Sequence, residues 1–498
     1  MHKYLFLTLL LRLTTINAQD PGDQFFGTWT VHEIRLSFSQ PGFWDSLTVN
    51  YTLDQYMRAT VMIDGQLYPE SGVKYKGNSS YNNQGSKKPF RIDLAEYVDD
   101  QAHDGLKKIV LNNGFKDPTM LREKIMLDYL NQHGVSAPRC AFARLYVNNE
   151  YRGLYTVVED VNKTFLSDRF GNKGGNLFKG DPRGTLTWKG AAPDLYYADY
   201  ELKTNESENN WSDLVELLDK INNTPASQLG TVLSGYLNTE SWYRYWASHN
   251  LFVNLDSYVG SGHNYFLYHN TDTDRFEWIT WDVNEAFGNF QMGISLTGLK
   301  VLPIGHIPLP AQQRPLMNRF WQDPALRSAY ADTYCDLVQD FSNQKLNAHI
   351  DSLADLIRTA VYEDPFKFYT NTQFEQNINQ DLPGGGGPGL SGIAGLKPFI
   401  AARRASVLQQ LAAYGCTATA ISEPESGQAF VAFQDGEQLI ISQTGSFHCQ
   451  IFSSDGRLIS HGSGENRVSC MLPAHFTGIV MIQVNTGSGT QSTGLFIH

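Results

Sequence analysis

The sequence predicts an α+β chain in three parts: a β-rich region, a mainly helical region reaching about residue 415, and a small β-sandwich after it. Three observations predict this. Alternating apolar segments separated by turn residues fill the first part, beginning with Ile34, Leu36 and Phe38 on one side of a strand Val31–Phe38. Helical spacing takes over beyond Asn210, with Leu214, Leu217, Leu218 and Ile221 on one face and, later, Leu346, Ile350, Leu353, Ile357 and Val361. From Thr417 short strands return, with Asp435-Gly436 and Asp455-Gly456 as hairpin signals. The 498 residues are 41% hydrophobic and 18% charged, an ordinary globular composition with ample core for several domains. A net charge of -12 points away from nucleic acid or an anionic membrane as partner.

In chain order, residues 1–18 carry a basic start, an apolar run Tyr4–Leu11 and the exit Ile16-Asn17-Ala18, which predict a secretory signal peptide cleaved after Ala18. That run is too short to span a bilayer, and no later run predicts a transmembrane segment. Export into an oxidising compartment permits disulfides, but five cysteines are few and odd in number. Cys449 and Cys470 are candidates to pair, a question the sequence leaves open. No Cys/His spacing suggests a structural zinc site. Strands are expected at 61–63, 72–76 and 90–94. Between the last two, Lys76-Gly77-Asn78-Ser79-Ser80 is a polar turn whose N–H groups, with Asn78 and Ser79, can cradle phosphate. Lys87 and Lys88, just before the next strand, can meet an anion in a cleft; a solvated loop with ordinary lysines is the alternative. This segment lacks the GxGxxG fingerprint and the spacing of a P-loop, so any phosphate grip here is of a different design. Asp117-Pro118 is a cap pair for a helix ending at Gly134. Strands 141–147 and 152–158 flank an Asn148-Asn149-Glu150 turn, and a helix-like segment runs 161–170. Lys179 and Lys203 are further basic candidates. The run Trp242–Val253 is apolar nearly all round and reads as core. A flexible glycine-rich loop at 382–389 precedes a last helix, 397–411, with Arg403 and Arg404 on its polar side.

The stretch from Asn254 to Gly288 carries the chemistry. Asp256 leads into a Gly-rich turn; Asn264 opens a strand at 265–268; a polar turn joins it to a second strand, 276–281, that ends on Asp282. A hairpin returns its open ends to one side, so Asn264 and Asp282 face each other and Asp256 reaches the same place. Phosphoryl transfer needs one carboxylate to accept a hydroxyl proton, and a second with an amide oxygen to hold Mg²⁺. The bland alternative is a turn-rich hairpin whose Asp and Asn residues cap loops.

With Val73–Leu94, Leu111–Leu130 and Ala137–Val161, this stretch resembles the CotH (spore-coat protein H) kinase-like family over roughly Val31–Leu411. The resemblance implies an atypical protein-kinase-like, two-lobed domain binding ATP with Mg²⁺ or Mn²⁺. It implies Asp256 as base, Asn264 and Asp282 as metal ligands, and Glu123 as the helix carboxylate pairing with a phosphate-holding lysine. Glu159 falls at the connector between lobes, where backbone groups would meet adenine. Arg314, in a recurring family element, supports the metal site or a phosphosubstrate, or is an ordinary surface residue. Asn284 stands where the family often has a second carboxylate. The last region resembles the C-terminal sorting domains of the type IX secretion system, implying secretion machinery as a partner; a carbohydrate-binding or adhesion sandwich is the alternative. Two functions follow: an exported kinase acting on Ser, Thr or Tyr of a protein, or a structural or binding protein of a surface assembly that keeps the fold without turnover.

Overall fold

The computed structural model describes residues 20–384, 392–417 and 431–497, the last with short breaks at 436–437, 454–456, 474–475, 477 and 488. The expected signal peptide and most of the glycine-rich loop lie outside the described residues. The chain divides into two units at 418/419.

The first unit begins with α1 (Asp23–Gly27), β1 (Val31–Ser37), α2 (Phe43–Leu53), β2 (Met57–Ile63), β3 (Gln66–Tyr75), β4 (Phe90–Asp93) and β5 (Lys108–Asn112). Next come α3 (Arg122–Gln132), β6 (Cys140–Val147) and β7 (Glu150–Glu159). The strands close into a barrel in the order β1-β2-β3-β4-β5-β7-β6, sealed by the parallel pairing of β1 with β6. Strand alternation fills it. Ile109 and Leu111 point into the barrel core with Ile34, Leu36, Ile92 and Val157, while Val110 points outward to α3. The β6–β7 turn is as predicted: Asn148 and Asn149 take φ of 47° and 67°, which Asn tolerates.

The helical part contains α4 (Lys163–Phe170), β8 (Leu177–Gly180), β9 (Tyr200–Leu202), α5 (Ser212–Asn223), α6 (Leu229–Leu233) and α7 (Thr239–Leu251). It continues through β10 (Tyr265–Asn270), β11 (Arg275–Thr280), α8 (Leu296–Lys300), α9 (Pro315–Gln322), α10 (Pro324–Asp340), α11 (Asn343–Glu363), α12 (Asn371–Asn379) and α13 (Leu396–Leu411). A four-stranded sheet, β11-β10-β8-β9, holds the predicted hairpin. Beneath it Trp278 gathers Trp242, Tyr245, Tyr258 and Tyr265, with ring centroids 4.7–5.2 Å away. α7 is core, as its sequence predicts, and Asn238 caps it.

Three expectations are corrected. Asp117 does not cap α3 directly. Met120 turns left-handed (φ 55°), so the helix starts at Arg122, and Asp117 instead accepts from the backbone N–H groups of Thr119 and Arg122. Arg403 is not on a polar face: it is fully buried and donates to the carbonyls of Leu251, Leu302 and Asn250. Arg314 is not an ordinary surface residue; it is buried and donates to the carbonyls of Tyr258 and Gly260. In both cases the buried guanidinium finds its acceptors in backbone carbonyls of other segments.

A disulfide joins Cys335 in α10 to Cys416. The second unit contains β12 (Val431–Asp435), β13 (Gln438–Ser453), β14 (Leu458–Met471), β15 (Gly478–Thr486) and β16 (Gly489–Ile497) in one five-stranded antiparallel network. β14 runs along one edge of β13, while β12 and β15 share the other. Its core includes Leu439, Ile441, Ile451, Ile482 and Val484. The Sγ atoms of Cys449 and Cys470 lie 3.3 Å apart as free thiols.

Candidate active site

The β10–β11 hairpin is antiparallel and in register from Asn270↔Arg275 to Tyr265↔Thr280. Asn264 and Asp282 sit one and two steps past its open end, both left-handed (φ 59° and 50°). Asn and Asp tolerate that region best after glycine, and the turn swings both side chains out of the strand direction. Asn264 donates from Nδ2 to the backbone oxygen of Asp256 (2.9 Å) and to its Oδ2 (3.2 Å). Its Oδ1 has no hydrogen-bond partner among the described residues. The other carboxylate oxygen of Asp256 accepts from Ser261 Oγ (3.1 Å) and stands 2.9 Å from His263 Nε2.

The Asp256 loop is held from behind. Its Tyr258 is in the aromatic cluster, Arg314 grips two of its carbonyls, and a Cβ at Gly260 would lie 1.9 Å from Leu255 O. Only glycine admits so close a backbone approach.

Across the cleft, Lys76 donates to Asn112 Oδ1 (2.9 Å), and Asn112 Nδ2 donates to both oxygens of Glu123 (2.9 Å each). Lys76 Nζ also lies 5.7 Å over the Trp281 ring. A cavity here is lined by Lys76, Ser80, Asn112, Glu123, Asp282 and Asn284, among others. Its electrostatics are those of a recessed mixed-charge cluster. Burial, then the charge of Asp282, pushes the Glu123 carboxyl up to about 8, against the Asn112 hydrogen bond. Burial also raises the Asp282 carboxyl, aided by Asp256 and opposed by Lys76, Lys179 and His263. Burial depresses the Lys76 ammonium despite Asp282. Burial works to lower His263, yet the hydrogen bond and charge of Asp256, with Asp181 and Asp282, leave it raised. Next to the cleft, Lys116 pairs with the buried Glu285 at 2.7 Å.

Among the described residues, no three His, Cys, Asp or Glu side chains form a ready metal cage. The donor set fits a cation completed by phosphate oxygens instead. Asp282 has no hydrogen-bond or ion-pair partner among the described residues, and Asn264 turns its amide nitrogen to Asp256 and keeps its oxygen.

A profile described as CotH kinase protein matches residues 73–381, more than half of the chain. The chain belongs to the CotH kinase family. Inner spore coat protein H of Bacillus subtilis is 25% identical over 300 residues, covering 59% of this chain and 78% of that protein. Spore coat protein homolog 1 of Rhizopus delemar is 23% identical over 341 residues, 62% of this chain and 53% of that one, so the chain spans about half of that relative. A solved structure titled a Helicobacter pylori proinflammatory kinase CtkA is 9% identical and covers 63% of this chain and 93% of its own, but its TM-score of 0.23 carries no argument.

Of the residues expected at the site of this CotH family member, Asp256, Asn264, Asp282 and Glu123 come together. The others do not. Lys87 is fully buried, its ammonium 2.6 Å from Asp364 and from the carbonyl of Leu154. Lys88 donates to the carbonyls of Tyr81 and Asn83 and so staples its own loop. Asn78 and Ser79 are exposed; Ser80, one residue on, lines the cavity. Glu159 is buried between Arg139 and Arg169, and its backbone N–H is taken by the carbonyl of Arg139. Its carboxylate and its backbone N–H thus anchor the end of the barrel. Sequence reasoning missed Lys76 and His263 as site residues. Lys76 directly follows β3, at the end of the expected strand 72–76, where alternation is the signal that could have pointed it to the cleft. His263 had the signal of adjacency to Asn264.

Proposed function

We propose that this protein is an exported kinase of the CotH type that moves the terminal phosphoryl group of ATP, with Mg²⁺ or Mn²⁺, to a Ser, Thr or Tyr hydroxyl of a surface or secreted protein. The observation carrying this reading is the convergence of Asp256, Asn264 and Asp282 at one hairpin end, opposite Lys76 and Glu123. In the proposed two-lobed arrangement, the barrel supplies Lys76 and Glu123 and the helical part supplies the other three.

The metal, when bound, would neutralise charge on the phosphates; Asp282 and the Asn264 oxygen would hold it. Lys76 would bind phosphate oxygens, oriented by Asn112 as a bridge to Glu123. Asp256 would accept the proton of the attacking hydroxyl as that oxygen bonds to the terminal phosphorus and the bond to the ADP oxygen breaks. Ser261 and His263 fix one oxygen of Asp256 and Asn264 the other, so the base is positioned before substrate arrives. The Cys335–Cys416 disulfide supports export, because such bonds persist in oxidising compartments. Delivery through secretion machinery by the second unit is part of the proposal.

One observation favours a second reading, a surface-assembly protein with little turnover. Asn284, not a carboxylate, lines the cavity, and Lys76 reaches Glu123 only through Asn112. Incubating the purified chain and candidate surface proteins with γ-labelled ATP and Mg²⁺ or Mn²⁺ separates the two. Labelled protein lost in Asp282→Ala is expected; no label with either metal would retire the kinase reading.

A further inference from the structure

We propose that Lys179 is a third cation of this site and binds the terminal phosphate of the nucleotide, released for that task from Asp181; this rests on the kinase reading above. Lys179 lies on β8, paired with Phe266 on β10, which is paired with Ile279 on β11. Paired residues share a sheet face, and side chains alternate along a strand, so Trp281 beyond Ile279 falls on that same face. The ring contact of Phe266 with Trp281, 5.6 Å between centroids, agrees. Lys76 stands over the same Trp281 ring from the barrel side. The two lysines thus flank Trp281, the residue before Asp282, and the charge of Lys179 is felt by both Asp282 and Lys76.

The partner of Lys179 is the exchangeable kind. Its ammonium contacts the Asp181 carboxylate, and this is its one bond among the described residues, although an ammonium has three donors. Lys179 and Asp181 are 20% and 31% exposed, so solvent and ligand can reach both. The structural pair Lys87–Asp364 is the contrast: both side chains are sealed from solvent, and the ammonium has a carbonyl as second acceptor. A solvent-accessible ion pair two residues apart contributes little, so a phosphate with more charge and more acceptor oxygens displaces Asp181 readily. ATP and ADP differ by that one group, so the expected signature is discrimination between them.

The test measures binding of ATP and of ADP, each with Mg²⁺, to the full chain, together with melting temperature. Lys179→Met should weaken ATP by about tenfold or more, the worth of a hydrogen bond to a charged group, and leave ADP close to wild type. Lys179→Arg should keep the preference for ATP. Asp181→Asn should tighten ATP by freeing the ammonium, and it carries the test should Lys179→Met fold poorly. Unchanged ATP affinity in Lys179→Met, equal loss of both nucleotides, or no gain in Asp181→Asn overturns the assignment. A wild-type chain that binds neither nucleotide overturns it together with the kinase reading, whereas wild-type binding that is lost only in Asp282→Ala overturns the lysine alone.

Discussion

Replacing Lys87 and Lys76 separately by Met distinguishes a lysine that holds the fold from one proposed to hold phosphate. Lys87 Nζ lies 2.6 Å from Asp364 Oδ2, with both side chains at 0% exposure. Asp364 enters there because residue 153 is glycine: a Cβ would lie 2.2 Å from its Cγ. Removing the ammonium leaves a buried carboxylate with backbone donors from Leu154 and Phe366 but no opposite charge, and strips the Leu154 carbonyl of its donor. Breaking one side of a buried pair costs about 3–5 kcal/mol. At about 2 °C per kcal/mol for a unit of this size, melting should fall by roughly 6–10 °C. Lys76 is partly exposed, has one side-chain acceptor, and is already depressed by burial, so Lys76→Met should cost about 1 kcal/mol or less. Its loss should appear in Mg²⁺–ATP affinity, weakened about tenfold or more. Calorimetry for melting and titration calorimetry for nucleotide, on the same preparations, read both. Wild-type melting with lost ATP binding in Lys87→Met would refute the reasoning, as would unchanged ATP binding in Lys76→Met.

Further outcomes follow from the same geometry. Glu123 has its carboxyl raised to about 8, so the folded state holds a proton there that the unfolded state releases near 4.5. Its contribution is therefore full below about 4.5 and lost as pH rises toward 8, and in metal-free buffer Glu123→Gln should gain stability relative to wild type across that window. Parallel melting curves from pH 4 to 9 would contradict this. Asp256→Asn should bind ATP normally and lose turnover by about 10²–10⁴-fold, the usual worth of a general base; wild-type turnover removes Asp256 from the mechanism. Asp282→Ala should melt close to wild type, since its carboxylate has no hydrogen-bond or ion-pair partner among the described residues, yet lose Mg²⁺-dependent nucleotide binding. A chain ending at residue 418 keeps both cysteines of the disulfide and should melt as the first unit does, retain phosphotransfer and fail to reach the surface; normal surface delivery refutes the sorting proposal.

Much of the site was legible in sequence because it is local. Asp256, Asn264 and Asp282 lie within one loop and one hairpin, where turn chemistry and a period of two determine which side chains meet. The α+β character, the β6–β7 turn and the buried α7 were legible for the same reason: each is a short-range pattern. The lysines were not. Lys76, Lys87 and Lys88 are neighbours in one basic loop region, and nothing local says which reaches the cleft. That was decided by a barrel closing β1 onto β6 and by Asp364, 277 residues from Lys87, arriving opposite Gly153. Glu159 and Arg403 were misjudged likewise, because their partners, Arg139 and Arg169 or the carbonyls around Asn250, come from other elements. Sequence by itself determined where the acids of the site could stand, since a hairpin carries its own geometry. Only the tertiary structure decided which charges are sealed as fold and which remain open for a ligand, because burial and long-range pairing are properties of the packed chain.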